Sequence, residues 1–310
     1  MKEAVLLINL GTPDSSKHSK VAKYLTQFLN DRRVIDINPI LRFILVNLII
    51  VPFRSFKSSK LYQAIWTKEG SPLLINSILL KEKLQNKLGE KYIVELAMRY
   101  QNPSIKSTLK KIKEQLPSKI HVLPLYPQYA SSSTGSTIEE VLSQIKGWEV
   151  IPSLNIISHF YNHPEFIKAL LIEGKKHNPK NYDFVIFSYH GLPERHIKKS
   201  DITKSHCKID GSCCNTPSPS HEFCYRHQCY ETTKQVAEYL NLKEGSYSTS
   251  FQSRLGRDHW LQPYTDKTID EFAQNGTNKL AVVTPAFVSD CLETLEEIGM
   301  EAKHSFMENG

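Results

Sequence analysis

Phe184-Val185-Ile186-Phe187-Ser188-Tyr189-His190-Gly191-Leu192-Pro193 is the stretch that decides the fold. Phe184 to Tyr189 is an apolar run of strand length, the pattern of a strand buried on both faces. It delivers His190 to its carboxyl end, and Gly191 and Pro193 then turn the chain. A second strand-length run, Leu280–Val283, leads to Ser289-Asp290-Cys291-Leu292-Glu293-Thr294-Leu295-Glu296-Glu297, which reads as the start of an acidic helix. A base and a row of carboxylates are thus expected at two strand ends, where open α/β sheets bind ligands.

Outward from these segments the same alternation continues. Further strands are expected at Ala4–Leu10, Ile93–Met98, His121–Leu125 and Tyr247–Phe251. Between them, Leu73–Leu88, Ile105–Gln115, Thr137–Ile145, Glu165–Gly174 and Glu231–Leu240 repeat apolar residues at three- and four-residue intervals, as amphipathic helices do. Such alternation predicts α/β architecture with parallel sheets flanked by helices. At 310 residues two domains fit, 1–150 and 151–310, divided near Trp148–Leu154 where Pro152 interrupts.

With 40% hydrophobic and 23% charged residues, composition is that of an ordinary folded domain. No basic run is interleaved with stacking aromatics, so the net charge of +7 does not point to nucleic acid. Ala4–Leu10 is short for a signal-peptide core and lacks a small-residue cleavage site, which predicts a cytoplasmic protein. Ile40–Phe53 reads ILRFILVNLIIVPF, fourteen residues containing Arg42, Asn47 and Pro52. It is short for a bilayer span. One reading is a buried core segment; the other is an apolar lip on a membrane surface, flanked by Arg32, Arg33, Arg54, Lys57 and Lys60.

His190 is a candidate base, because a neutral imidazole near pH 7 accepts protons and can touch a metal. Glu293, Glu297 and Glu301 stand four apart, so they share a helix face where like charges repel. No Lys or Arg between Ser289 and Glu301 offsets them, which suggests a cation. Carboxylates are hard oxygen donors that hold a divalent cation loosely compared with thiolates. Arg99 is a candidate bidentate grip on a carboxylate; Tyr100 and Trp260 could flank a flat ligand or simply fill the core.

Together these segments resemble the ferrochelatases, which insert ferrous iron into a porphyrin. The resemblance covers nearly the whole chain: Leu7–Pro13, Glu69–Leu73, Met98–Tyr100, Leu125–Ser136, the histidine segment, Phe251–Gly256 with Trp260, Leu261 and Pro263, and the acidic segment, in that order. It implies a chelatase fold of two similar Rossmann-like domains enclosing a cleft. It implies His190 and Glu293 as catalytic residues, with His190, Glu293, Glu297 and Glu301 touching the substrate iron along a distorted helix. Porphyrin contacts carried over are Leu10, Ser71, Arg99, Tyr100, Gln128, Ser133 and Trp260. Leu10 precedes Gly-Thr-Pro where coproporphyrin-specific relatives commonly have Tyr, which favours protoporphyrin IX and protoheme, the terminal step of heme biosynthesis. The family's apolar lip favours peripheral contact with the inner face of the membrane. Cys291 replaces a histidine common in the motif. Members usually run one strand or helix beyond the equivalent of Gly310, so a matching tail is expected to be missing or to lie outside this sequence.

Five of the six cysteines, Cys207, Cys213, Cys214, Cys224 and Cys229, fall in one segment as C-x5-C-C-x9-C-x4-C. In a cytosolic protein this suggests metal rather than disulfides. Zinc, with or without His206, His221 or His227, and a [2Fe-2S] cluster both fit the spacing. The resemblance favours an internal [2Fe-2S] cluster, with Cys213 and Cys214 not both ligating. Competing readings of the whole chain are a cobalt or nickel chelatase of this fold, a heme or iron carrier without catalysis, and an iron–sulfur sensor.

Overall fold

The computed structural model describes residues 2–256 and 258–309. The chain folds into two compact units. The first holds the chain up to Tyr126, Ser131–His159 and Ser289–Leu292; the second holds Pro127–Ala130, Phe160–Val288 and the chain from Glu293.

In the first unit, β1 (Glu3–Gly11) is followed by α1 (His18–Leu29), a helical run of α2 (Pro39–Ile44), a π-helical stretch Leu45–Ile50 and α3 (Val51–Ile65), then α4 (Pro72–Leu88), β2 (Tyr92–Tyr100), α5 (Ile105–Glu114), β3 (Lys119–Pro124), α6 (Ser136–Ile145) and β4 (Ser153–Ile156). The four strands are parallel in the order β2-β1-β3-β4. Period-two side-chain alternation splits the core. Leu6 and Ile8 pack with Ile93, Leu109, Ile112 and Val141, whereas Leu7 packs with Val94, Leu96 and Met98. β1 lies between strands reached in opposite directions, so its carboxyl end with that of β3 is a topological switch point. Gly11 closes β1 at φ +115°, where an added Cβ would stand 2.0 Å from the Tyr100 carbonyl oxygen, so no other residue fits.

The second unit comprises α7 (Pro164–Lys176), β5 (Phe184–His190), α8 (Glu194–Ser200), the cysteine segment, α9 (Tyr225–Tyr239), β6 (Tyr247–Gln252), α10 (Thr265–Gln274), β7 (Leu280–Val283), a π-helix Glu293–Ala302 and α11 (Lys303–Asn309). Its parallel sheet has the order β6-β5-β7. Val185, Phe187 and Tyr189 join Phe251, Cys229, Val236 and Ala237 in one core. Ser188 alternates to the other face and meets Thr265 of α10 at 2.8 Å. Again the central strand is the switch point, and it ends in His190.

The six expected strands are present within two residues at each end. β4 was not anticipated: it has four residues at a sheet edge, with an alternating exposed and half-buried pattern too short to show periodicity. The core reading of Ile40–Phe53 is overturned. The helical run extends over Pro39–Ile65, and Ile40, Leu48 and Phe53 are 71%, 63% and 78% exposed. Pro52 lies in the turn after the π-helical stretch.

Candidate functional site

The carboxyl ends of β5 and β6 are paired in register, His190 beside Gln252. Gly191 makes that join possible, because its N–H donates to the Gln252 carbonyl at 2.6 Å and a Cβ there would come within 2.9 Å of the same oxygen. The His190 carbonyl accepts from the Tyr225 hydroxyl at 2.9 Å. His190 Nδ1 lies 2.6 Å from the Gly191 carbonyl oxygen. A carbonyl only accepts, so Nδ1 is the donor, and in the neutral tautomer this leaves Nε2 as the lone-pair nitrogen.

Gln252 ties this strand end to the acidic helix. Buried at 3% exposure, it accepts from Ser188 Oγ at 2.7 Å through Oε1. Its Nε2 donates to the Glu293 carbonyl at 3.1 Å and to Glu297 Oε2 at 3.4 Å. Ser253, at φ +62°, turns its N–H to Glu297 Oε1 at 2.9 Å while its hydroxyl donates to Oε2. A non-glycine residue in the left-handed region is strained, and here the strain aims two donors at one carboxylate. Burial pushes the Glu297 carboxyl above its ordinary range, and Glu293 adds to the rise. The Ser253 hydroxyl, the His190 imidazole and Gln252 oppose it.

Glu293–Ala302 is π-helical rather than α-helical. Closing i→i+5 puts more residues in each turn, so residues four apart fall more nearly in line along the axis. Glu293 and Glu297 are half-buried and Glu301 is exposed, a gradation running from the strand end to solvent. Among the described residues no three His, Cys, Asp or Glu side chains are gathered closely enough to hold one metal ion. The row is a series of separate oxygen donors, suited to passing an ion rather than retaining it.

Several expected porphyrin contacts are turned inward. Tyr100 is fully buried, edge-on to Phe28 at 5.2 Å, with its hydroxyl 2.9 Å from Asp31 Oδ2. Arg99 donates to the same oxygen at 2.7 Å and to Ser136 Oγ at 2.7 Å. Ser136 Oγ donates to Asp31 Oδ2 at 2.5 Å, and the Arg33 N–H to Oδ1 at 2.7 Å. Burial works against ionising Asp31, but these donors and the Arg99 charge hold its carboxyl below the usual range. Arg99 is therefore an ion-pair partner within the fold, not an open grip. Ser71 is 4% exposed and shares a 2.8 Å hydrogen bond with Thr12; Gln128, 2% exposed, donates to Thr232 at 3.1 Å. Leu10, Ser133 and Trp260 remain half-buried, with Trp260 Nε1 on the Leu255 carbonyl at 3.1 Å. Asp31, Gln252 and Ser253 were not named as site residues from sequence. Asp31 hides in a charged Asn-Asp-Arg-Arg run; Gln252 and Ser253 were signalled only by their place at a strand end.

The cysteines divide. Cys229 is fully buried in the second unit's core beside Tyr225. Cys207, Cys213, Cys214 and Cys224 instead share one electrostatic neighbourhood with the buried Arg226. Arg226 donates to the Ile209 carbonyl at 2.6 Å, to the Lys208 carbonyl, and to Cys213 Sγ at 3.4 Å. Cys224 sits at the N-terminus of α9. The hydrogen bond from Cys214 pulls its thiol down to about 6, against burial, with help from the His227 N–H and the Arg226 charge. Burial pushes Cys207 up to about 11. These four thiols equal in number the ligands of a [2Fe-2S] group, though among the described residues they make no cage for a single ion. Cys213 and Cys214 both belong to that neighbourhood. Cys291 is buried and belongs to the first unit.

Comparison with known proteins agrees with this geometry. The family model described as Ferrochelatase matches residues 2–310. A ferrochelatase of Coxiella burnetii (strain Dugway 5J108-111) is 45% identical over 310 residues, covering 100% of this chain and 86% of the relative. A ferrochelatase of Legionella pneumophila (strain Paris) is 46% identical over 313 residues, covering 100% of this chain and 92% of the relative. Among solved structures, SirB from Bacillus subtilis with Fe3+ superposes with a TM-score of 0.50 at 10% identity, over 98% of this chain and 85% of that one, a likeness of fold alone. With a family match across the chain and its strand-end histidine and acidic row in place, this chain belongs to the ferrochelatase family.

Proposed function

We propose that the chain inserts ferrous iron into protoporphyrin IX, releasing two protons and forming protoheme, as the terminal step of heme biosynthesis. The carrying observation is at the end of β5. There an imidazole whose Nε2 is the free acceptor stands within the charge field of Glu297, itself fixed by Gln252 and Ser253. Two pyrrole N–H groups must lose protons as the metal enters, and His190 Nε2 is the group that takes them. Glu301, Glu297 and Glu293 exchange the waters of Fe2+ for oxygen donors on its way in. Leu10, Ser133 and Trp260 are the proposed porphyrin contacts. Arg99, Tyr100, Ser71 and Gln128 act through hydrogen bonds within the fold. A cobalt or nickel chelatase would share the fold, but the family relation favours iron. A carrier needs no proton acceptor.

The exposed apolar run Pro39–Ile65, with Arg54 and Lys57, supports peripheral attachment of a cytoplasmic enzyme to the membrane. By length and composition this helix is also the one described helix able to cross a bilayer. Cys207, Cys213, Cys214 and Cys224 are the proposed ligands of a [2Fe-2S] cluster with Arg226 as counter-charge. Such a cluster would supply a redox-responsive structural centre, since metal insertion transfers no electron. The test of the main reading is anaerobic incubation with Fe2+ and protoporphyrin IX, followed by absorbance. Multiple turnovers that disappear in His190→Ala, with porphyrin binding retained, are expected. Single-use uptake, or full turnover by His190→Ala, would refute it.

A further inference from the structure

Three donor atoms from separate stretches of the cysteine segment meet beside the thiols. His206 Nε2 and His221 Nε2 are 3.3 Å apart. The Cys213 carbonyl oxygen is 3.0 Å from the first and 3.2 Å from the second. Ligands about 2.0–2.1 Å from an ion at tetrahedral angles stand about 3.3 Å from one another, so the three atoms form one face of a coordination tetrahedron.

Hydrogen bonding alone satisfies this triangle in one arrangement only. A neutral imidazole carries one N–H. If both Nε2 atoms carry it, the carbonyl accepts both through its two lone pairs. If either does not, its lone pair is set against those of the oxygen. A cation answers all three lone pairs at once.

The arrangement is held from outside. Asp201 accepts from the His206 and Cys207 N–H groups at 2.9 and 2.8 Å, and from the Ser220 hydroxyl next to His221. The His221 ring stacks on His227 at 3.6 Å and 12°. His227 Nδ1 is in turn 3.1 Å from the Cys214 carbonyl oxygen, which fixes its ring. Cys213 contributes its backbone oxygen here, while its Sγ accepts from the Lys208 N–H at 3.2 Å and from Arg226 and stays with the other thiols.

We infer that His206, His221 and the Cys213 carbonyl form a site for a divalent first-row ion of the zinc type, with one position left for water. Imidazole and carbonyl donors suit such an ion. The site is independent of the insertion reaction and pins the segment between α8 and α9.

The test is equilibrium dialysis of the full chain against Zn2+, with Co2+ as spectroscopic probe. His206→Gln and His221→Gln keep a hydrogen-bonding group and should each lose one equivalent of Zn2+, with far-UV circular dichroism unchanged. His190→Ala should keep that equivalent, which separates this site from the substrate path. Co2+ should give visible d–d bands that both glutamine variants weaken. Unchanged Zn2+ stoichiometry and unchanged d–d bands in both glutamine variants would overturn the inference.

Discussion

Replacing Asp31 by Ala should destabilise the first unit by about 3 kcal/mol. Its side chain is 6% exposed and Arg99 is 15% exposed. Removing one partner of a buried pair typically costs about 3–5 kcal/mol, because a charge is left without its counter-charge. The lower end applies here, since Arg99 keeps Ser136 and has Glu140 at 3.9 Å. About 3 kcal/mol is roughly a hundredfold in the folded-to-unfolded ratio, or a fall in Tm of about 6–12 °C for a domain of this size. The assay is thermal unfolding of wild type, Asp31→Ala, Arg99→Met and the double variant. Coupling predicts that the double variant loses much less than the sum. The pH dependence gives a second readout. The folded-state pKa of Asp31 lies below its ordinary value of 3.8, so its stabilisation is present above that value and is lost as pH falls through the folded one. Asp31→Asn should flatten this acid limb. Strict additivity, or a Tm change below about 2 °C, would refute the coupling and return Arg99 to the role of an open anion grip.

Glu297 has the opposite sign. Burial raises its pKa above 4.5, so stability falls as pH climbs from the ordinary carboxylate value through the raised one. Glu297→Gln should be more stable than wild type at neutral pH, by urea midpoint, while showing a higher KM for iron; a midpoint below wild type would contradict the burial argument. On the exposed helix, Leu48→Ser and Phe53→Ser should each weaken binding to vesicles containing anionic lipid about tenfold, from about 1.5 kcal/mol of lost apolar burial apiece. Equal co-sedimentation of wild type and the double variant would leave that surface without a membrane role.

Local pattern was enough for the strands and for His190. Phe184–Tyr189 has the length and pattern of a central parallel strand, and the residue after such a strand emerges at the sheet's carboxyl edge. The four-residue spacing of Glu293, Glu297 and Glu301 likewise announced a shared helix face, and motif order along the chain gave the family. Tertiary structure decided how each polar group is spent. Arg99 and Tyr100 read as ligand contacts, but they converge on Asp31, 68 and 69 residues away in sequence. Ile40–Phe53 read equally as core or lip until packing left its apolar side chains exposed. Gln252 gained its role from Ser188, 64 residues earlier, and from Glu293, 41 residues later. Periodicity records which face of an element avoids water, a property each segment carries by itself. Which donor meets which acceptor depends on segments distant in sequence, and only the folded chain brings those together.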